Sequence, residues 1–281
     1  MFTFPSGFYS DVRIEKVYKT LIRFEMGRLE EVKIKNDEGA FIRLYDGSKW
    51  FYSSTTDLGN INDELKNLAV LASEGFDLQN DSTIKKMQIN KGEFLGFASE
   101  KVSDTGLATK IELVKSYAEL VKDDKEITHW SSNYSDAYCE KRIVSSTGTD
   151  VKFDNQIAGL RLGFRFGSGA NVFSETWCKA LDKFSGLNNL QKEASEHISR
   201  ARDFFKNAET IDGGIYTVVL SPMAAGIFAH ESFGHKSEAD FMIGDETMIR
   251  EWQIGKKVGS DVLSIVDDGN IAGSGYTPFD D

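Results

Sequence analysis

Cysteine and proline are scarce in this chain, at two and three among 281 residues, and histidine is nearly as rare at four. Cys139 and Cys178 are too few for a disulfide framework and wrongly spaced for a zinc ribbon, so both are expected as free thiols. No stretch reaches the roughly 18 consecutive apolar residues of a membrane helix. The opening MFTFPSGFYSDVRIEK has neither the basic head nor the apolar run of a signal peptide, and a cytoplasmic address without membrane contact is the expectation. An excess of positive charge is missing too. Lys and Arg number 33 against 44 Asp and Glu, and the formal charge of -11 opposes the phosphate contacts that dominate nucleic-acid binding. Direct partnership with DNA or RNA is therefore excluded as an expectation. Internal repeats and low-complexity linkers are also absent. What remains is a chain with 40% hydrophobic residues, ample for one large domain or two modest ones.

Alternating apolar and polar residues in DVRIEKV, EVKIKN and AFIRLYDG, punctuated by Gly27, Gly39 and Gly47, predict a small antiparallel sheet of hairpins between Asp11 and about Ser54. Asp57 is placed to cap a helix in which Ile61, Leu65, Leu68, Ala69 and Ala72 share a face, ending at Gly75. EFLGFASE reads as a strand. TGLATKIELVKSYAELVKDDK reads as a second helix, with Ile111, Val114, Ala118 and Val121 on one side. Strand patterns return between about Glu126 and Lys179, with GSGAN as a hairpin turn, and a long helix is predicted from Ser185 to about Ala208. The apolar IYTVVLSP follows as a strand. Sheets and helices come in blocks, which favours an α+β fold with antiparallel sheets and packed helices over a doubly wound one.

The chemistry concentrates in AGIFAHESFGHKSEAD, residues 225–240. Ser221-Pro222 is a good helix start, because Ser caps free amides and Pro fits the first turn without losing a bond. His230 and His235 then stand five positions apart, where an ideal helix rotates them by roughly 140° and denies them a common face. Two local geometries reunite them. One is a widening to i,i+5 hydrogen bonding, which Gly234 is well suited to permit; the other is a helix that ends at Gly234 with His235 swinging in from the next turn. In either case both imidazoles reach one metal ion, and Glu231 lies beside them as the base for a metal-activated water. The bland alternative is a helix with two exposed histidines and a surface glutamate. His129 and His197 have no neighbouring partner in sequence and read as structural or surface residues. Arg161 and Arg165 alternate with Leu162, Phe164 and Phe166, which puts them on the opposite side of one strand, either solvated or available to a carboxylate.

GGIYTVVLSPMAAGIFAHESFGHKSEADF followed by GKKVGSDVLSIVDDG resembles the TldD/PmbA family of metallopeptidases, the "modulator of DNA gyrase" family, and a weaker likeness extends back through EGAFIRLYDGSKWFYSSTTDL. H-E-x-x-x-H is retained here, which makes the chain similar to the TldD type. That resemblance implies zinc ligation by His230 and His235, catalysis by Glu231, unfolded or extended polypeptide as substrate, and a TldE/PmbA-like partner or a homodimer. It implies an α+β domain over residues 1–210 for peptide binding and dimerisation, then the beginning of a catalytic domain over 211–281. It also implies a third ligand, a cysteine near the far C-terminus of longer relatives, so the catalytic domain is expected to be truncated here. Cys178 is a candidate substitute from a predicted strand, and Glu238 is a candidate to complete or brace the site. The competing reading is a catalytically silent peptide-binding or assembly subunit of a TldD-TldE-like complex.

Overall fold

In a computed structural model that describes residues 2–73, 80–273 and 275–279, the alternating segments form long strands. Strands β1 (Tyr9–Glu25) and β2 (Arg28–Tyr45) meet at a two-residue turn, Met26-Gly27, with φ of 48° and 82°. Positive φ at both turn positions matches the right-handed twist of the flanking strands, and glycine adopts it without strain. β3 (Trp50–Thr55), β4 (Lys91–Phe94), β5 (Ile127–Ser145), β6 (Asp150–Ser168) and β7 (Asn171–Leu181) complete the set.

These strands make one sheet, where the sequence pattern suggests a small N-terminal sheet and a later group of strands. β1 pairs antiparallel with β5 from Asp11↔Ser145 to Glu25↔Ser131, which joins the two groups. The order is β3-β2-β1-β5-β6, with β4 and β7 both bonded to β6. β4 runs parallel to the start of β6 and β7 antiparallel to its second half. The predicted GSGAN turn closes the β6-β7 hairpin, with Gly169 at φ 61°.

Burial explains the strand order. Helices α1 (Ile61–Leu71), α2 (Leu107–Ala118) and α3 (Gln191–Asn207) supply apolar stripes to the sheet. Tyr134, Leu160 and Leu162 pack with Val114 and Tyr117 of α2 and with Ile198 of α3. Val12, Ile42 and Leu44 pack with Ile61, Leu65 and Leu68 of α1. Each such side chain contributes about 1.5–3 kcal/mol on leaving water. Lys110 sits inside α2's packed face, where periodicity predicts none but apolar residues. Its Nζ lies 2.5 Å from Asp136, both side chains are 0% exposed, and Thr20 Oγ1 accepts a further bond at 3.1 Å. An ion pair so deep holds together because nearly every polar atom around it has a partner.

Four expectations shift. EFLGFASE is strand only at Glu93 and Phe94, the end of β4, and continues as turn. The helix predicted from Ser185 starts at Gln191, because Phe184–Leu187 forms a single tight turn and Asn189 takes φ 63°. α1 ends at Leu71 with Ala72 extended, and Gly75 lies outside the described residues. Residues 215–220 are not a strand: among the described residues they have no ladder partner, and Ile215 and Val219 remain solvent-exposed. The chain divides into two compact units, residues 1–208 with 269–281, and residues 209–268. Among the described residues no helix is long and apolar enough to cross a membrane.

Candidate metal centre

The second unit builds its central feature on α4 (Pro222–Ala229). Ser221 Oγ accepts from the Ala224 amide at 3.3 Å and Pro222 occupies the first turn, as the helix-start reading predicts. A side-chain cap of this kind stabilises a helix by about 1 kcal/mol. After Ala229 the helix widens. Residues His230–Gly234 form a π turn in which the His235 amide donates to the His230 carbonyl, five residues back. Two serines satisfy carbonyls along this stretch: Ser232 Oγ donates to Phe228 O at 2.6 Å and Ser237 Oγ to Phe233 O at 3.0 Å. Hydroxyls that bond back to the preceding turn bend helices, and they were not singled out from sequence. Gly234 has an ordinary helical φ of -54°, and a Cβ there would meet His230 Nδ1 at 3.6 Å. The widening therefore does not require glycine's conformational freedom.

Of the two local geometries open to the sequence, the widened turn is the one present. It sets the His230 and His235 rings 4.4 Å apart, centroid to centroid, at 65°. One donor atom each from His230, Glu231 and His235 lies within 4.8 Å of the others. Two imidazoles are nitrogen donors that zinc accepts, with a carboxylate beside them, so these residues fit a divalent metal. His235 is the better oriented of the two candidate ligands. Its Nδ1 lies 2.7 Å from Glu238 Oε1, and a carboxylate only accepts, so Nδ1 donates to it and Nε2 is the nitrogen left for a metal. Glu231 Oε2 stands 3.7 Å from that Nε2.

Packing holds the turn in place. Phe233 meets Trp252 edge to face at 5.0 Å, just after α5 (Glu246–Glu251), whose start Asp245 caps by accepting from the Thr247 and Met248 amides. His235 also contacts Phe241 at 6.4 Å. Glu231 is 64% and His235 43% exposed, so water reaches the cluster.

The remaining candidates lie in the first unit. His129 pairs with Glu25 at 3.2 Å and His197 with Glu175 at 3.7 Å, each serving a local contact. Cys178 is a free, exposed thiol on β7 and Cys139 a free, half-buried one on β5. Arg161 and Arg165 are exposed while Leu162, Phe164 and Phe166 are buried, as alternation predicts.

Comparison with known proteins adds the ancestry. Residues 213–281 match the PmbA/TldA metallopeptidase C-terminal domain, and residues 10–74 match PmbA/TldA metallopeptidase domain 1. A metalloprotease of Methanocaldococcus jannaschii is 24% identical over 98% of this chain and 61% of its own length. A zinc metalloprotease TldD homolog of Saccharolobus solfataricus is 26% identical over 92% of this chain and 56% of its own length. The chain spans about three-fifths of the length of the curated relatives it matches. A solved Thermotoga maritima structure, provisionally labelled a modulator of a DNA gyrase, superposes with a TM-score of 0.57 at 16% identity. It covers 74% of this chain and 47% of that one, a likeness of fold.

Proposed function

Because the chain belongs to the TldD/PmbA family of metallopeptidases, we propose that His230, Glu231 and His235 are the working residues of a zinc-dependent peptidase acting on extended or unfolded polypeptide. The observation that carries this reading is the widened turn, which gathers the donor atoms of all three residues within 4.8 Å. His230 and His235 hold the ion. Zinc bound there supplies Lewis acidity toward water and toward a peptide carbonyl. Glu231 accepts the proton of the attacking water and returns it to the departing amine, a role its exposed carboxylate beside His235 suits. Glu238 fixes the His235 tautomer and ring orientation.

The name of the Saccharolobus solfataricus relative supports zinc, and the family resemblance supports extended chain as substrate. The same resemblance supports assembly with a TldE/PmbA-like partner or with a second copy. The test is cleavage of an unfolded protein such as reduced casein, followed with and without chelator. Chelator-sensitive cleavage that Glu231→Ala abolishes while retaining the metal is the expected result. Cleavage that survives in Glu231→Ala contradicts the assignment.

A further inference from the structure

Helices α1, α2 and α3 pack on one face of the large sheet. On β1, Thr20, Ile22 and Phe24 are buried beneath them, while Lys19, Leu21 and Arg23 point the other way. Register then aligns that second face in rows. Lys35, Lys19, Ala137 and Ile157 lie across from one another, and the next row runs Lys33, Leu21, Ser135, Gly159 and Ala180. Together they enclose a groove of about 470 Å³. Its floor is small and apolar at Leu21, Ala137, Gly159 and Ala180, and its β1-β2 side is cationic.

Charge makes this face unlike the rest of the protein. The chain has 44 acidic and 33 basic residues, yet Lys19, Arg23, Lys33, Lys35, Arg161 and Arg165 gather on this side. Glu31 neutralises Arg23 at 3.5 Å and Asp37 neutralises Lys35 at 2.7 Å. Lys19, Lys33 and Arg161 have no ion-pair partner among the described residues. An isolated surface lysine is ordinary; three unpaired cations beside an apolar floor that no helix covers among the described residues are a surface complementary to something acidic.

We propose that this face docks an acidic amphipathic helix of a partner polypeptide. Sheets bury a face by packing helices on it, and small residues on the floor let a helix approach closely. A leucine- and alanine-bearing stripe fills the groove, and glutamates along one edge of the helix meet Lys19 and Lys33 on its β1-β2 side. A second copy presenting the same face is disfavoured, because isologous contact sets these cations against their own duplicates. The proposal stands on the first unit alone and is independent of the peptidase reading.

The test uses the full chain carrying Glu231→Ala, so that no probe is consumed. A fluorescently labelled helical peptide of Ala and Leu with glutamates along one edge is titrated by anisotropy, beside its lysine-edged counterpart. The glutamate peptide binds, binding weakens as salt rises, and the Lys19→Glu/Lys33→Glu variant binds about tenfold more weakly. Ala180→Trp, which fills the groove at an exposed position, weakens it as well. Lys192→Glu, an exposed change on α3, leaves it unaltered, and thermal melts establish that each variant is folded. Equal binding by wild type and Lys19→Glu/Lys33→Glu, preference for the lysine peptide, or no binding overturns the proposal. So does a dimer, seen by light scattering, that Lys19→Glu/Lys33→Glu dissociates while no peptide binds.

Discussion

Glu238 Oε1 stands 2.7 Å from His235 Nδ1, three residues back along the chain, and occupies that nitrogen so that Nε2 is the one a metal would meet. Removing this carboxylate frees the ring to rotate and to exchange tautomers. Glu238→Ala is therefore expected to weaken zinc binding about 10–100-fold without altering the fold. Calorimetric zinc titration of wild type and variant checks it, and unchanged affinity argues that Glu238 only decorates the surface.

Gly234 offers a second test of the same turn. A methyl group there has ordinary contact distance to His230, and φ is helical, so Gly234→Ala is expected to fold and to retain metal. Deleting Ser232 shortens the spacing to four and removes the hydroxyl that satisfies Phe228 O. Circular dichroism and zinc titration of the two variants separate a requirement for glycine from a requirement for the extra residue.

The Lys110-Asp136 pair predicts a large stability effect within the first unit, which does not carry the candidate site. Lys110→Met leaves a buried carboxylate without its cation and is expected to cost about 3–5 kcal/mol. Adding Asp136→Asn removes the stranded charge while keeping acceptor capacity for the Thr20 amide, which donates to Asp136 at 3.0 Å, and recovers part of the loss. Urea denaturation of the single and double variants measures both.

Acid sensitivity follows from Asp46. Burial alone works against its carboxylate, but the amides of Lys49 and Ser48, each at 2.8 Å, and of Ser73 at 3.2 Å outweigh it and hold its pKa below the ordinary value. A carboxyl more acidic in the folded state contributes stability in full above its unfolded pKa of about 3.9, and loses it as pH falls through the lower folded value. Asp46→Asn is expected to lower the melting temperature at pH 7 and to narrow its difference from wild type as pH drops below about 4. A difference that grows on acidification contradicts this.

The thiols are expected to diverge in reactivity. Burial first, and then the nearby Glu15 carboxylate, push the Cys139 thiol up to about 11, whereas Cys178 is exposed. Iodoacetamide at pH 8 is expected to modify Cys178 well before Cys139, read by mass spectrometry of the two peptides.

Long-period patterns were legible in the sequence and tertiary choices were not. The alternation in DVRIEKV and QIAGLRLGFRF marked β1 and β6, and Ser221-Pro222 marked the start of α4, because backbone geometry writes these signals locally. Residues 215–220 have the composition of a strand and find no ladder partner among the described residues, since pairing depends on a neighbour that composition does not specify. Lys110 broke the helical stripe of α2 for a similar reason: its partner Asp136 is 26 positions away in a different element. At the candidate site the five-residue spacing itself required a distortion. The form that distortion took comes with Ser232 and Ser237 bonding back to the helix and Phe233 packing against Trp252, contacts that spacing does not announce.

The central claim is that His230 and His235 hold one ion between them, and calorimetric titration of zinc into the purified chain tests it most directly. The account predicts a single class of site that His230→Ala and His235→Ala each abolish and that His197→Ala leaves intact. Binding of equal strength in all three variants, or none in the wild type, would contradict it.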